Sequence, residues 1–394
     1  MGRAAIRGLR RPGVPEGMRL RVALIVERFE PDAGGLEDAA WQTARALRDA
    51  GDAVTVLARR ARPCSGITCV ELPVQASWWQ PTRVLGFAAQ AGRWLAKARR
   101  DDRIDLAHAW NRVPGADLFH GGEGSHAHYL VRTHGKRGAR WRRGSPRHAA
   151  ILALERRIFA AGNVHLQSVS PQVERELCER FPLPASRVHR VAYGVDLERF
   201  QPGDATKHAD FRAQLDPTSG QVPRFLFAGS GWRRKGLDTA LRALAAMEHR
   251  DARLWIAGGD APAPWQRRAL QLGVEPRVQF LGRRSDLERI YPAADALLFP
   301  TRYDAFGLVA LEAAACATPC VLSATAGAAE LLAPGACVVD DPEDVAGFAA
   351  ALDRLCDPAA RAPLAEAAHA IASEHSWEQQ TARLREVYRK RLAR

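Results

Sequence analysis

Residues 301–312 carry two carboxylates, Asp304 and Glu312, eight positions apart. The apolar run at 296–300 reads as a strand, and a helix beginning near Phe306 carries Glu312 on its second turn. A helix N-terminus at the carboxyl end of a strand attracts an anion through its free amides and its dipole. Two carboxylates there would repel a bare phosphate, so they suit the hydroxyls around one. A sugar nucleotide offers both anion and hydroxyls, which points to glycosyl transfer.

Three further strand-to-helix turns carry reactive or permissive residues. At 227–236 a strand runs into a Gly-rich turn followed by Arg233, Arg234 and Lys235. Cations so placed suit a diphosphate leaving group, whose charge rises as its bond to the sugar breaks; the bland alternative is a solvated charge run. Gly34 and Gly35 sit between the first strand and its helix, where paired glycines let backbone approach a ligand. Neither turn has the dinucleotide fingerprint or the P-loop pattern. The stretch 110–126 gathers Asp117, His120, Glu123 and His126 among glycines, a candidate acceptor pocket. Its ligand-type residues lack a regular metal spacing, and no Asp-x-Asp occurs in the chain, so neither metal nor cofactor is expected.

The elements that must position these turns alternate strand and helix. In the first half, strands are expected at 21–26, 53–58, 106–109, 164–168 and 188–191, with helices at 36–50, 84–99, 147–161 and 171–180. In the second, strands are expected at 225–228, 254–257, 278–281, 296–299, 321–323 and 337–339, with helices at 237–247, 264–272, 285–293 and 306–317. Short apolar strands between helices imply parallel sheets covered on both faces, with ligand at the strands' carboxyl ends. The fold class is therefore α/β, with two doubly wound, Rossmann-like domains. Residues 18–198 form the first and 199–375 the second. Residues 1–17 read as a disordered extension, and the helix within 376–394 can pack on either half, including back onto the first.

The 394 residues carry a net charge of +13 and are 47% hydrophobic. No apolar run reaches the ~18 residues of a membrane span, and the basic start lacks a secretory core. The seven cysteines form no Cys-x-x-Cys pair and suit reduced thiols in a cytoplasmic protein. The charge implies an anionic partner. It concentrates at 132–147, where Arg137, Arg140, Arg142 and Arg143 surround Trp141 and no Asp or Glu occurs. That composition suits an anionic membrane surface.

Together these turns resemble the retaining, two-domain GT-B glycosyltransferases of family 4, over roughly residues 21–392. The resemblance rests on the basic Lys-Gly turn at 229–236 and on the Asp304-to-Glu312 spacing, where the family shows Glu-x7-Glu. It implies a metal-free site in a cleft between two facing domains. Arg234 and Lys235 would hold the donor diphosphate, and the amides of Phe306, Gly307 and Leu308 the distal phosphate. Glu312 would bind ribose, Gly34 and Gly35 would close over the donor, and Arg283 would lie by the base. Asp304, Asp117 and His120 would be the catalytic group, with Asp117 placed ahead of His120 in the acceptor pocket. Asp304 replaces the family's usual Glu, one methylene shorter, which opens the question of sugar identity.

The likeness narrows toward the branch that glucosylates the inner-core heptose of lipopolysaccharide, through 227–236, 114–117 and the Arg147-His148 helix. It implies a UDP-linked glucose donor and a lipid-linked saccharide acceptor. The protein would be a monomer lying peripherally on the cytoplasmic face of the inner membrane, through Arg137, Arg140, Trp141, Arg142 and Arg143. The alternatives are another cell-envelope glycan, a sugar-nucleotide epimerase on the same fold, or a basic nucleic-acid-binding protein. The last is disfavoured because no nucleic-acid motif occurs and the strand-end turns are acidic.

Overall fold

The computed structural model describes residues 18–31, 33–74, 79–216 and 222–393. The extension expected at 1–17 lies outside them. Two parallel sheets organise the chain. The first has seven strands in the order Thr68–Glu71, Ala53–Ala58, Arg21–Ile25, Leu106–Ala109, Leu118–His120, His165–Ser168, Val188–Arg190. The second has six, in the order Val278–Gly282, Arg253–Ala257, Arg224–Ala228, Ala296–Phe299, Cys320–Ser323, Ala336–Val339. Central strands such as Ala296–Phe299 and Arg224–Ala228 are buried along their whole length, as strands covered on both faces must be. The two sheets face each other across a cleft, and each strand order reverses beside it, where doubly wound sheets bind ligands.

Helix starts follow from local chemistry. Ser170 caps Pro171–Arg180 by accepting from the Val173 amide, with Pro171 at the first helical position. Ser376 and Gln379 form a capping box at the start of Trp377–Leu392. That last helix packs against Gly35–Asp49 in the first domain. Tyr388 hydrogen-bonds His108 at 2.9 Å, and Arg385 pairs with Asp52 at 2.9 Å. The chain therefore crosses between domains twice. The crossings touch, since Val195 N donates to His375 O at 2.8 Å.

Two short strands, Thr68–Glu71 and Leu118–His120, were not expected; neither has the length to stand out as an apolar run. The basic stretch is the helix His126–Arg143, broken at Gly135 where φ is 69°. The expected helix at 285–293 shrinks to Leu287–Ile290, and that beginning near Phe306 starts two residues later as Leu308–Ala315.

Candidate active site

The cleft between the sheets encloses a cavity of about 790 Å³. Gly34 and Gly35 line it from the first domain, and Arg234, Lys235, Arg283, Asp304, Phe306, Gly307, Leu308 and Glu312 from the second. A Cβ on Gly35 would lie 3.5 Å from Leu308 Cδ1, so the glycine turn and the facing helix meet across the cleft.

The basic turn is built around Lys235. Its ammonium sits 4.9 Å from the Phe299 ring centroid and 4.0 Å from Asp304 Oδ2. A Cβ on Gly229, where φ is +106°, would collide with that ammonium, and one on Gly236, at +81°, would collide with Pro300 O. Glycine at both places is what lets the cation fold back beneath the turn. Asp260 fixes the loop by accepting from the Gly231 amide at 2.7 Å. Burial lowers the Lys235 pKa, and Asp304 opposes that shift.

Asp304 accepts from Arg234 Nη1 at 3.1 Å and from the Phe306 amide at 3.3 Å. Burial acts to raise its pKa, but Arg234 and Lys235 outweigh it, so the carboxylate stays ionised. The Phe306 amide is thus turned toward Asp304. Gly307, left-handed at φ 96°, precedes Leu308–Ala315; the Ala310 amide bonds back to Gly307 O at 2.9 Å, and the Leu308 and Val309 amides lie ahead of the first helical bond. Glu312 lies beyond them, with Tyr291 donating to its Oε2 at 2.7 Å. Burial raises the Glu312 pKa, against the hydrogen bond from Tyr291 and the charge of Arg199. One turn therefore offers cations and amides for phosphates, with a held carboxylate for hydroxyls close by.

The two acceptor-side candidates lie elsewhere than expected. Asp117 precedes the strand Leu118–His120, at the end of the sheet away from the cleft. There it accepts from Arg99 at 2.7 Å and the Ala107 amide at 2.9 Å, and pairs with Arg391. It is a structural anchor. His120 lies at the cleft end but is wholly buried, bonded to Gln167 at 3.0 Å and Tyr193 OH at 2.8 Å and stacked on Trp110. Burial holds its pKa down to about 3, so the imidazole is neutral. Gly122 and Tyr193 form the floor above it, and a Cβ on Gly122 would collide with both Tyr193 OH and the imidazole. His120 thus positions Tyr193 and does not itself reach the cavity.

Arg199, Tyr193 and Tyr291 were missed from sequence. The break in pattern at 193–200 signalled the domain crossing, but nothing in it showed that Arg199 would line the cleft, paired with Glu288 at 2.8 Å. Tyr291 carries no local sign of its partner.

The domains also meet through Tyr303, which donates to Glu176 at 2.8 Å, and through Ser170, which donates to Ala305 O at 2.8 Å. Burial pushes the Glu176 carboxyl up to about 7, against Tyr303, Arg132, Gln172 and Arg175, which all lower it. A raised carboxyl pKa contributes stability that is complete below its ordinary value of 4.5 and lost as pH climbs through about 7. The melting temperature of Glu176→Gln, which mimics the neutral acid, is expected to gain on the parent over that interval and to hold a constant lead above it. A difference that does not change with pH would refute this.

Of the basic segment, Trp141 is 81% exposed, and Arg137, Arg140, Arg142 and Arg143 are exposed around it. No helix among the described residues is long and apolar enough to cross a membrane.

Residues 33–199 match Glycosyltransferase Family 4, and residues 222–357 match Glycosyl transferases group 1. The chain is 32% identical to D-inositol 3-phosphate glycosyltransferase 1 of Catenulispora acidiphila, over 91% of each chain. It is 25% identical to lipopolysaccharide glucosyltransferase WaaG of Escherichia coli, over 65% of this chain and 69% of that one. The solved WaaG structure superposes with a TM-score of 0.80 at 22% identity, covering 93% and 99%. Anabaena HepE, solved with UDP-glucose, superposes with a TM-score of 0.68 at 18% identity, covering 93% and 100%.

Proposed function

This chain belongs to the family 4, group 1 glycosyltransferases of GT-B fold, and from that premise we propose that it moves glucose from UDP-glucose to a lipid-linked saccharide with retention at the anomeric carbon. The observation that carries the donor half is the turn that joins Arg234, Lys235, the amides of Gly307 and Leu308, and the Tyr291-held Glu312 in one cavity. The cations and amides take the diphosphate, Glu312 the ribose hydroxyls, and Arg283 lies by the base. Asp304 meets the sugar while steering Arg234.

In transfer, the bond from the anomeric carbon to the diphosphate oxygen breaks, and the acceptor hydroxyl oxygen bonds to that carbon on the same face. The leaving diphosphate takes the hydroxyl proton, so no protein base is required. Arg234 and Lys235 balance the charge that develops on the diphosphate. Tyr193, held by His120, and Gly122 form the acceptor side of the floor.

UDP-glucose at about 100 times its dissociation constant is expected to stabilise the fold by ~2.7 kcal/mol. Absence of any shift, together with no glucose transfer, would sink the donor assignment. Activity is expected to survive EDTA; full loss restored by a divalent ion would overturn the metal-free reading. Asp304→Glu restores the longer side chain and is expected to shift preference between UDP-glucose and UDP-galactose. An unchanged profile refutes a tuning role.

For the acceptor, Trp141 with Arg137, Arg140, Arg142 and Arg143 favours a membrane-bound substrate reached from the cytoplasmic face of the inner membrane. Each cation near an anionic leaflet contributes about 1 kcal/mol, enough together for reversible attachment. A second reading, a soluble cyclitol or sugar phosphate, is favoured by the identity to the inositol-phosphate enzyme. Cosedimentation with anionic vesicles, paired with an acceptor screen, separates the two.

A further inference from the structure

A second cavity, of about 440 Å³, opens beside the donor cleft. Both domains wall it. Arg132, His134 and Arg142 stand on the two arms of the helix broken at Gly135, and Arg233 and Arg302 face them from the second domain. The two cavities are lined by opposite sides of the same turns. Arg233 and Arg302 point into one, while Arg234 and Asp304 line the other.

The cations here outnumber their partners. Arg302 is held by Glu343 at 2.5 Å. Among the described residues, Arg132, Arg142 and Arg233 have no direct ion pair. Burial, and then Arg142 and Arg233, hold the His134 imidazole below its ordinary value, so the positive potential of both domains converges at that point. Guanidinium groups around one cavity repel each other until an anion enters, and their planar forks match phosphate oxygens.

We propose that this cleft binds a phosphate group of the acceptor substrate, held between Arg132 and Arg142 of one domain and Arg233 of the other. The site is separate from that of the donor diphosphate. The identity of its occupant rests on the glycosyltransferase reading, whereas the cation geometry does not. A phosphate bridging the two walls draws the basic helix toward the turn that carries Arg234 and Lys235. Acceptor binding thereby favours closure of the donor cleft.

The test is calorimetric titration of inorganic phosphate into the full chain, free and saturated with UDP so that the donor site is filled. Phosphate is expected to bind in both states. Arg132→Gln/Arg142→Gln/Arg233→Gln is expected to weaken it by at least about tenfold. Glu343→Gln frees Arg302 and is expected to tighten it by about threefold. Vesicle binding is read on Arg132→Gln/Arg233→Gln, which leaves the membrane-facing patch with Arg142 intact: if this variant loses binding to phosphatidylglycerol vesicles, the phosphate belongs to a lipid headgroup; retained vesicle binding assigns it to the saccharide part. Phosphate affinity unchanged in the triple variant, or weakened by Glu343→Gln, overturns the proposal. A chain that binds no UDP sinks the proposed function, and the titration of the free chain still tests the cleft.

Discussion

Lys235→Ala is expected to slow glucose transfer by about a hundred- to a thousandfold while changing donor affinity far less. Removing one preorganised donor from the place where charge develops has effects of that order on turnover. Lys235 fits that role because its position is fixed before any ligand arrives. The ammonium is packed over Phe299, faces Asp304, and lies where Gly229 and Gly236 leave room for it. Arg234, more exposed and bonded to Tyr303 O at 2.5 Å and to Asp304, has a second anchor but less burial. Its alanine variant is expected to lose less. Single-turnover rates with UDP-glucose, alongside calorimetric affinity for UDP, separate the two quantities. A rate within tenfold of the parent, or a loss seen wholly in affinity, would remove Lys235 from the chemistry. Gly229→Ala provides an independent perturbation, since its Cβ must displace the same ammonium.

Glu312→Ala is expected to raise KM for UDP-glucose by at least about a hundredfold with a smaller change in kcat. A carboxylate accepting from two vicinal hydroxyls makes two charge-assisted hydrogen bonds, each worth roughly 1.5–3 kcal/mol where buried. That energy is present in ground state and transition state alike, so it enters KM. The parent should also discriminate against 2′-deoxy-UDP-glucose, and the variant should lose that discrimination. Tyr291→Phe is the companion measurement. It leaves the carboxylate in place but removes the hydrogen bond that orients it, so a smaller rise in KM is expected. Equal effects of both donors on the variant and the parent would show that Glu312 does not meet the ribose.

The donor side was more legible than the acceptor side. Glu312 stood out because a carboxylate among Leu308, Val309, Leu311 and Ala313 is costly without partners, and the structure supplies Tyr291. Lys235 stood out because three cations followed a Gly-rich turn. Asp117 and His120 are separated by only two residues, yet they fall at opposite ends of one three-residue strand. A strand that short leaves no periodic signal, so the sequence offered no way to tell which end faced the ligand. The basic segment was readable as charge, but its division was not. One glycine, Gly135, breaks the helix, and the two arms then send Arg132 and Arg142 toward the second cavity while Trp141 is left to solvent.

The last helix has a consequence for the order in which the molecule is assembled. Tyr388 meets His108 across 280 residues of sequence, Arg385 meets Asp52 across 333, and Arg391 meets Asp117 across 274. Contacts so distant in sequence form late, since the loop they close is entropically expensive. During synthesis the second sheet can complete its core from residues already made, whereas the first waits for the carboxyl terminus to emerge. The domain translated first is therefore finished last, and a ribosome stalled before residue 377 carries a first domain in which His108, Asp52 and Asp117 still lack Tyr388, Arg385 and Arg391.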